Sequence, residues 1–333
     1  MLCLAMPVSS DIPSFSGWQA GVQHDKEHHM KIRTEEAESV KTFLDKLYIP
    51  SEDSHKGKNG KVMIIGGSAL FHAASLWAAE IASHFADMVH YSSTTENNEI
   101  LLSLKKTFRN GIVVHQKDIP SYIEEDDAIL IGPGMVRSDE QVHIENLQSY
   151  EEIIKITDEA TYTKAITRYA LSQFPDKKFV LDAGALQMME LRWIADCSVL
   201  PILTPHQLEF ERLFGIRVTE LPMEEKEKVV KEQAKKHRCV ILLKAIKDIV
   251  SDGETVITIE GGNQGLTKGG TGDVLAGLIV SLYAKNDPVT SALIASFLEK
   301  KAADKLMSSK GLWYNVADLI ETIPTILREL IYN

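Results

Sequence analysis

Apolar residues fall along this chain in short, near-continuous runs separated by stretches with helical spacing. The runs at 61–65, 88–91, 111–115, 128–132, 178–182, 198–202 and 239–243 are four or five residues long and rich in Val, Ile and Leu. Runs without polar alternation suit strands buried on both faces. Between them, near 70–86, 157–173, 206–214 and 224–237, the spacing predicts helices. The stretch 247–260 reads as a hairpin turning at Ser251-Asp252-Gly253. Beyond Gly270, three further helices are expected over 272–285, 288–308 and 316–331. Strands alternating with helices predict an α/β domain with a mostly parallel sheet covered on both faces. One domain over 35–333 is simpler than two.

Residues 1–34 lack either period. Pro7, Pro13, Gly17 and Gly21 precede the polar HDKEHHMKIR, so the segment reads as a poorly ordered extension and Met30 as a candidate start of translation. His28-His29 in such a tail reads as solvated rather than metal-bound. Helical periodicity begins at Thr34, an N-cap candidate followed by Glu35, Glu36 and Glu38, with an apolar stripe at Val40, Phe43, Leu44 and Leu47.

Composition narrows the function classes. A net charge of −11 with no long Lys/Arg run disfavours general binding to nucleic-acid backbone. The uncharged stretch 62–79 is long enough for a membrane span, but Gly66-Gly67-Ser68 interrupts it, so strand–turn–helix is expected. MLCLAMPVSS has no basic region of a secretory signal. Cys3, Cys197 and Cys239 are far apart, which indicates neither a disulfide framework nor a zinc cluster and suits a reducing cytoplasm.

The candidate chemistry clusters after strands, where open α/β sheets bind ligands. Gly269-Gly270-Thr271-Gly272-Asp273 precedes the apolar helix VLAGLIVSLYA. Glycines there let backbone N–H groups and the helix dipole meet an anion. Asp273 either caps the helix or acts on something beside the anion. The segment is neither a Walker A loop nor a dinucleotide fingerprint. Gly66-Gly67-Ser68 can form a second N–H cradle, and Gly132-Pro133-Gly134 a bare surface for a flat ligand. Thr204-Pro205-His206 puts a histidine at a helix start, as a cap or as a ligand contact.

In this order, KVMIIGGS, IGPGM (131–135), LDAGAL (181–186), LTPHQLEFERLFG (203–215), LLKAIKDIVSDG (242–253) and GNQGLTKGGTGDVLAG (262–277) resemble the NAD(P)H-hydrate dehydratase family, above all its archaeal single-function members. The resemblance implies a ribokinase-like three-layer α/β/α sandwich with a mostly parallel central sheet. It implies an enzyme that repairs hydrated NADH or NADPH: ADP phosphorylates the added hydroxyl, phosphate leaves, and AMP is released, with Mg²⁺ bridging the phosphates. By position, Asp273 is implied as the base, and Gly270, Thr271 and Gly272 as the anion hole. Ala74, Gly134 and His206, with Asp273, are implied to meet the hydrated dinucleotide. Lys244, Ala245, Ile246, Lys247, Asp248 and Gly272 are implied to hold the nucleotide. A homotetramer is the implied assembly.

The chain departs from the family pattern at Gly184, where an acidic residue is usual, and at Ala245, where glycine is usual. Phe71-His72-Ala73-Ala74 and Leu208 also depart from it. Asp11-Ile12-Pro13-Ser14 resembles a fragment of the epimerase domain found in fused relatives, as a remnant or by chance. Two other functions share these residues: a small-alcohol or vitamin-precursor kinase of the same superfamily, and a silent nucleotide-binding relative.

Overall fold

The computed structural model describes residues 29–103, 110–147 and 149–332. The chain runs β1 (His29–Arg33), α1 (Lys41–Leu44), β2 (Lys61–Ile65), α2 (His72–Ala82), β3 (Met88–Ser92), α3 (Thr95–Ser103), β4 (Ile112–Val113), α4 (Ile119–Glu125) and β5 (Ala128–Ile131). There follow α5 (Tyr150–Ile153), α6 (Glu159–Gln173), β6 (Lys178–Leu181), α7 (Ala183–Met188), β7 (Ile202–Leu203), α8 (Gln207–Phe214) and α9 (Met223–His237). It ends with β8 (Val240–Leu243), β9 (Asp248–Ser251), β10 (Val256–Glu260), α10 (Thr271–Tyr283), α11 (Pro288–Lys310) and α12 (Val316–Tyr332).

Among the described residues the strands form one ten-stranded sheet, ordered β1-β10-β9-β8-β7-β6-β5-β2-β3-β4. Only β9 runs antiparallel to its neighbours. Alternation along each strand divides the core into two layers. Val62, Ile64, Leu130 and Val180 pack with α2, α10, α11 and α12, whereas Met63, Ile65, Ile131 and Leu181 pack with α4, α6 and α9. The central strands β2, β5, β6 and β8 are therefore apolar at nearly every position, as their sequences show. The result is the expected three-layer α/β/α sandwich. No helix among the described residues is long and apolar enough to cross a membrane.

The chain leaves β2 toward β3 and β4, then returns to the other side of β2 with β5. At this switch point the two post-strand loops are tied together, with Gly67 N–H donating to Pro133 O at 2.7 Å. Helix α10, which begins beside the glycine-rich segment, is apolar on nearly every face and buried along most of its length, as a central helix must be. Lys178 Nζ donates to the carbonyls of Tyr283 and Ala284 at its far end, satisfying orphan C-terminal acceptors.

The N-terminal boundary differs from expectation. Residues 29–33 are a strand, parallel to β10, with Ile32 fully buried. Thr34 caps no helix: its N–H donates to Glu260 O, and its buried hydroxyl donates to Asp304 at 2.6 Å. The helix expected from Thr34 is delayed to a 3-10 turn at Ala37–Val40 and the short α1. His29 pairs with Glu227 at 3.0 Å and so is not a free solvated side chain. His28 and the Asp11–Ser14 resemblance lie outside the described residues. The strand expected over 198–202 shrinks to Ile202–Leu203, because Pro201 has no N–H for the ladder.

Candidate functional site

Asp273 is the third residue of α10, partly buried, and its carboxylate accepts no hydrogen bond among the described residues. It is thus not acting as a helix cap. Burial pushes its pKa up to about 7, with the Asp182 charge adding to the rise, Lys244 opposing it and Glu209 reinforcing it. A carboxyl poised near neutrality suits a proton acceptor.

Asp182 ends β6 and is buried; its Oδ1 accepts from Lys244 Nζ at 2.7 Å and from Thr204 Oγ1 at 2.8 Å. Burial acts against the Lys244 charge, but Asp182 and Glu209 outweigh it and hold the ammonium protonated. Glu209 is held in turn by Gln187 and by the His206 N–H. Three strand ends therefore converge on Asp273 with one ion pair already closed. Asp182 and Glu209 are what the sequence reading missed as site residues, and Lys244 is expected there only as a nucleotide contact, not as the partner of Asp182. The signal available was a polar side chain directly after a buried strand, in LDAG and LLK.

The amides of the expected anion hole differ in how far other groups of the chain already hold them. Among the described residues no backbone acceptor takes the N–H groups of Gly270, Gly272 and Asp273 at the head of α10, which leaves them available to an anion. Thr271 is different. Its hydroxyl donates to Leu266 O and Lys268 O, and its N–H reaches Lys268 O at 3.4 Å. It shapes the loop rather than the hole. The second cradle does not exist: Gly66 N–H donates to Ser92 O, and Gly67 N–H to Pro133 O.

A cavity of about 500 Å³ adjoins this helix head, lined by Lys244, Ala245, Asp248, Asn263, Gly272 and Glu299, with Ile246 at its rim. Five of the six expected nucleotide residues thus share one cavity. Lys247 does not: it turns away to pair with Glu260 at 2.7 Å. Asp248 is buried and organises the wall, accepting from Ala245 N–H and Ser296 Oγ. Ala245 does not have positive φ, so its methyl occupies ordinary backbone space on the cavity wall.

The expected dinucleotide contacts lie at the switch point and beyond it. Gly134, at φ 70°, touches the start of α2: a Cβ there would lie 2.4 Å from Phe71 O and 2.9 Å from the Ala74 Cβ. Packing of the two loops, as much as ligand access, requires glycine. His206 is the N-cap of α8, its Nδ1 accepting from Glu209 N–H at 3.2 Å. That leaves Nε2 as the protonated nitrogen of the neutral ring, on a half-exposed side chain. The departure at Gly184 has a steric cause, since a Cβ would lie 2.4 Å from Met135 O. No acidic side chain fits there.

Among the described residues no group of three or more His, Cys, Asp or Glu is arranged to hold a metal. Mg²⁺ normally needs only one or two carboxylates besides phosphates and water. An ion carried in on the phosphates of a nucleotide would therefore need few ligands from the chain.

The comparisons with known proteins agree with this geometry. The NAD(P)H-hydrate dehydratase family model matches residues 62–325. The chain is 30% identical over 304 residues to the ADP-dependent (S)-NAD(P)H-hydrate dehydratase of Nitrosopumilus maritimus, covering 87% of this chain and 96% of that protein. It is 32% identical over 299 residues to the bifunctional NAD(P)H-hydrate repair enzyme of Methanocaldococcus jannaschii, covering 88% of this chain but only about half (53%) of that longer protein. In fold it is similar to the ADP/ATP-dependent NAD(P)H-hydrate dehydratase of Bacillus subtilis co-crystallized with ATP/Mg²⁺, with a TM-score of 0.71, 23% identity, and coverage of 87% of this chain and 96% of that one. A ribokinase-like superfamily protein of Enterococcus faecalis matches at a TM-score of 0.71 and 20% identity, covering 91% and 97% of the two chains. With the family model matching residues 62–325 and a relative 30% identical over nearly its whole length, this chain belongs to the NAD(P)H-hydrate dehydratase family.

Proposed function

We infer that the protein dehydrates hydrated NADH and NADPH at the expense of ADP, releasing AMP and phosphate and restoring the reduced nicotinamide. The observation that carries this reading is the Asp273 carboxylate, without a hydrogen-bond partner among the described residues, in the first turn of a helix whose Gly272 lines a cavity together with Lys244 and Ala245. Asp273 takes the proton of the hydrate hydroxyl, and the oxygen attacks the terminal phosphorus of ADP. The N–H groups of Gly270, Gly272 and Asp273 receive the charge that develops on the transferring group. Phosphate is a far better leaving group than hydroxide, and the ring nitrogen supplies the electrons that expel it.

Gly134, Ala74 and His206 are assigned to the dinucleotide in this reading, and Lys244, Ala245, Ile246 and Asp248 to ADP. Mg²⁺ accompanies the nucleotide and neutralises phosphate charge. The N. maritimus relative's name, with its stated ADP dependence, supports ADP as the donor. A reducing cytoplasm, supported by the buried free thiols of Cys197 and Cys239, and a homotetramer complete the proposal.

The test incubates the protein with hydrated NADH, Mg²⁺ and either ADP or ATP while following absorbance at the reduced-nicotinamide band. Recovery of the band with ADP is expected. Accumulation of a phosphorylated alcohol without recovery would favour a kinase, and nucleotide binding without turnover a silent relative.

A further inference from the structure

Glu299, on α11, is 5% exposed and lines the same cavity as Ala245, Asn263 and Gly272. Its Oε1 is buried with no hydrogen-bond partner among the described residues. An unsatisfied buried carboxyl oxygen carries a desolvation cost that native proteins rarely leave uncompensated without a functional reason. The neighbouring cations do not compensate it. Lys300 Nζ makes its contacts with Ala245 O at 3.3 Å, Ile246 O at 3.1 Å and Asp248 Oδ1 at 3.4 Å. Lys244 is committed to Asp182. A group bound in the cavity that Glu299 lines would supply such a partner.

We propose that Glu299 is a nucleotide-recognition residue whose free carboxyl oxygen accepts a hydrogen bond from the nucleoside part of the bound nucleotide, either the exocyclic amine of the base or a ribose hydroxyl. The proposal rests on reading this cavity as the nucleotide site. The amides at the head of α10 mark the phosphate end of the cavity, which leaves the nucleoside part for Glu299. Burial, with the charge of Asp248 adding to it, pushes Glu299 up to about 8, so the group stands largely neutral and waits without a counter-ion. Buried polar atoms that are unsatisfied in the free protein and satisfied by ligand give discrimination, since an analogue lacking the donor leaves them unpaired.

The test is calorimetric titration of the wild type and of Glu299→Met and Glu299→Gln with ADP, inosine diphosphate, 2′-deoxy-ADP and 3′-deoxy-ADP. On the wild type, an analogue lacking the donor is expected to bind about tenfold more weakly than ADP, the worth of one hydrogen bond. Weak inosine diphosphate identifies the base amine, and a weak deoxy analogue identifies the ribose. Glu299→Met should bind ADP about tenfold more weakly and lose that discrimination, while melting at or above the wild-type temperature, because a buried unpaired polar group has gone. Glu299→Gln keeps an acceptor and should stay within about threefold of wild type. Should Glu299→Met fail to fold, the wild-type analogue series decides alone. Binding of all four nucleotides within about twofold by the wild type, or unchanged ADP binding by Glu299→Met, overturns the assignment of Glu299 only. No ADP binding by the wild type overturns the nucleotide-cavity reading and this proposal with it.

Discussion

Lys244 Nζ lies 2.7 Å from Asp182 Oδ1 in a buried ion pair, and that closed pair leaves Asp273 in the same cluster without a cation of its own. The lysine still lowers the pKa of Asp273, but less than burial and Asp182 raise it. The pair therefore tunes the carboxylate proposed as the base without neutralising it.

A base must be ionised to act, so kcat/KM should fall on the acid side with a midpoint near the value of about 7 set for Asp273. Asp182→Asn removes a negative neighbour and should move that limb to lower pH. Lys244→Met removes the positive one and should move it to higher pH. Lys244→Met should also cost about 3–5 kcal/mol of stability, because it strands Asp182 unpaired in the interior. The pH dependence of kcat/KM for the three proteins checks the signs. A limb that stays fixed would assign it to another group.

Asp273→Asn should lower turnover by about two to four orders of magnitude while leaving ADP binding nearly unchanged. Its effect on stability has a definite sign. The folded-state pKa is raised above the ordinary 3.8 to about 7, so ionisation costs the folded state more than the unfolded one. That cost is absent below about pH 4, grows between about pH 4 and 7, and is complete above. The variant should accordingly match the wild-type melting temperature near pH 4 and exceed it at pH 8. A lower melting temperature at pH 8 would mean that Asp273 is a helix cap after all.

Gly272 separates stability from binding. A Cβ there meets only Lys244 Nζ, at 3.5 Å, so Gly272→Ala fits the fold, and alanine favours a helix by up to about 1 kcal/mol. The same methyl would stand where phosphate oxygens approach the α10 amides. The expected outcome is an unchanged or higher melting temperature with ADP affinity about tenfold lower, a cost like mild overpacking. Unchanged ADP affinity would show that phosphates do not reach this helix head.

Much of the fold is legible in the sequence because its strands are buried on both faces. Residues 62–65 and Val240–Leu243 are apolar at every position and stand clear of their neighbours. What fails to show is short or edge structure. Met30 and Ile32 alternate with lysine and arginine in a stretch that looks like tail, and only the pairing of β1 with β10 gives it meaning. Helix α7 begins at Ala183, at φ 43°, with only Asp182 between it and β6. In the site, GGTGD is visible because glycines beside an apolar helix are unusual. Glu299 is invisible, since one glutamate in SFLEKKAADK looks like any solvated helical residue, and only packing reveals that it is buried and unpartnered.

Strand β1 should matter to stability. Ile32 is fully buried, Arg33 pairs with Glu260, and Thr34 donates to Asp304. A chain beginning at His29 should melt like the full-length protein. One beginning at Glu35 should lose at least the burial of Ile32, about 1.5–3 kcal/mol, together with the ladder to β10, and should melt several degrees lower. Differential scanning calorimetry on the two chains checks this. Equal melting temperatures would make β1 an ornament of the sheet edge.

Ala245 is the departure most open to test. The usual glycine at this position serves either positive φ or close approach of the nucleotide. Ala245 does not have positive φ, its N–H is held by Asp248 Oδ1 at 2.9 Å, and its carbonyl accepts from Lys300. The backbone of this segment is therefore already fixed by side chains on α11 and β9, and removing the methyl should not change its path. What the methyl does is take up room in the cavity. Ala245→Gly should tighten ADP binding by several-fold, since relieving mild overpacking is worth about 1 kcal/mol. The phosphoryl-transfer rate at saturating ADP should not change, because Asp273 and the α10 amides are untouched. A small loss of stability from the added backbone freedom, about 0.5–1 kcal/mol, is the expected cost. Titration with ADP on both proteins decides it, and equal or weaker binding by the glycine variant would mean that the nucleotide does not pass close to residue 245.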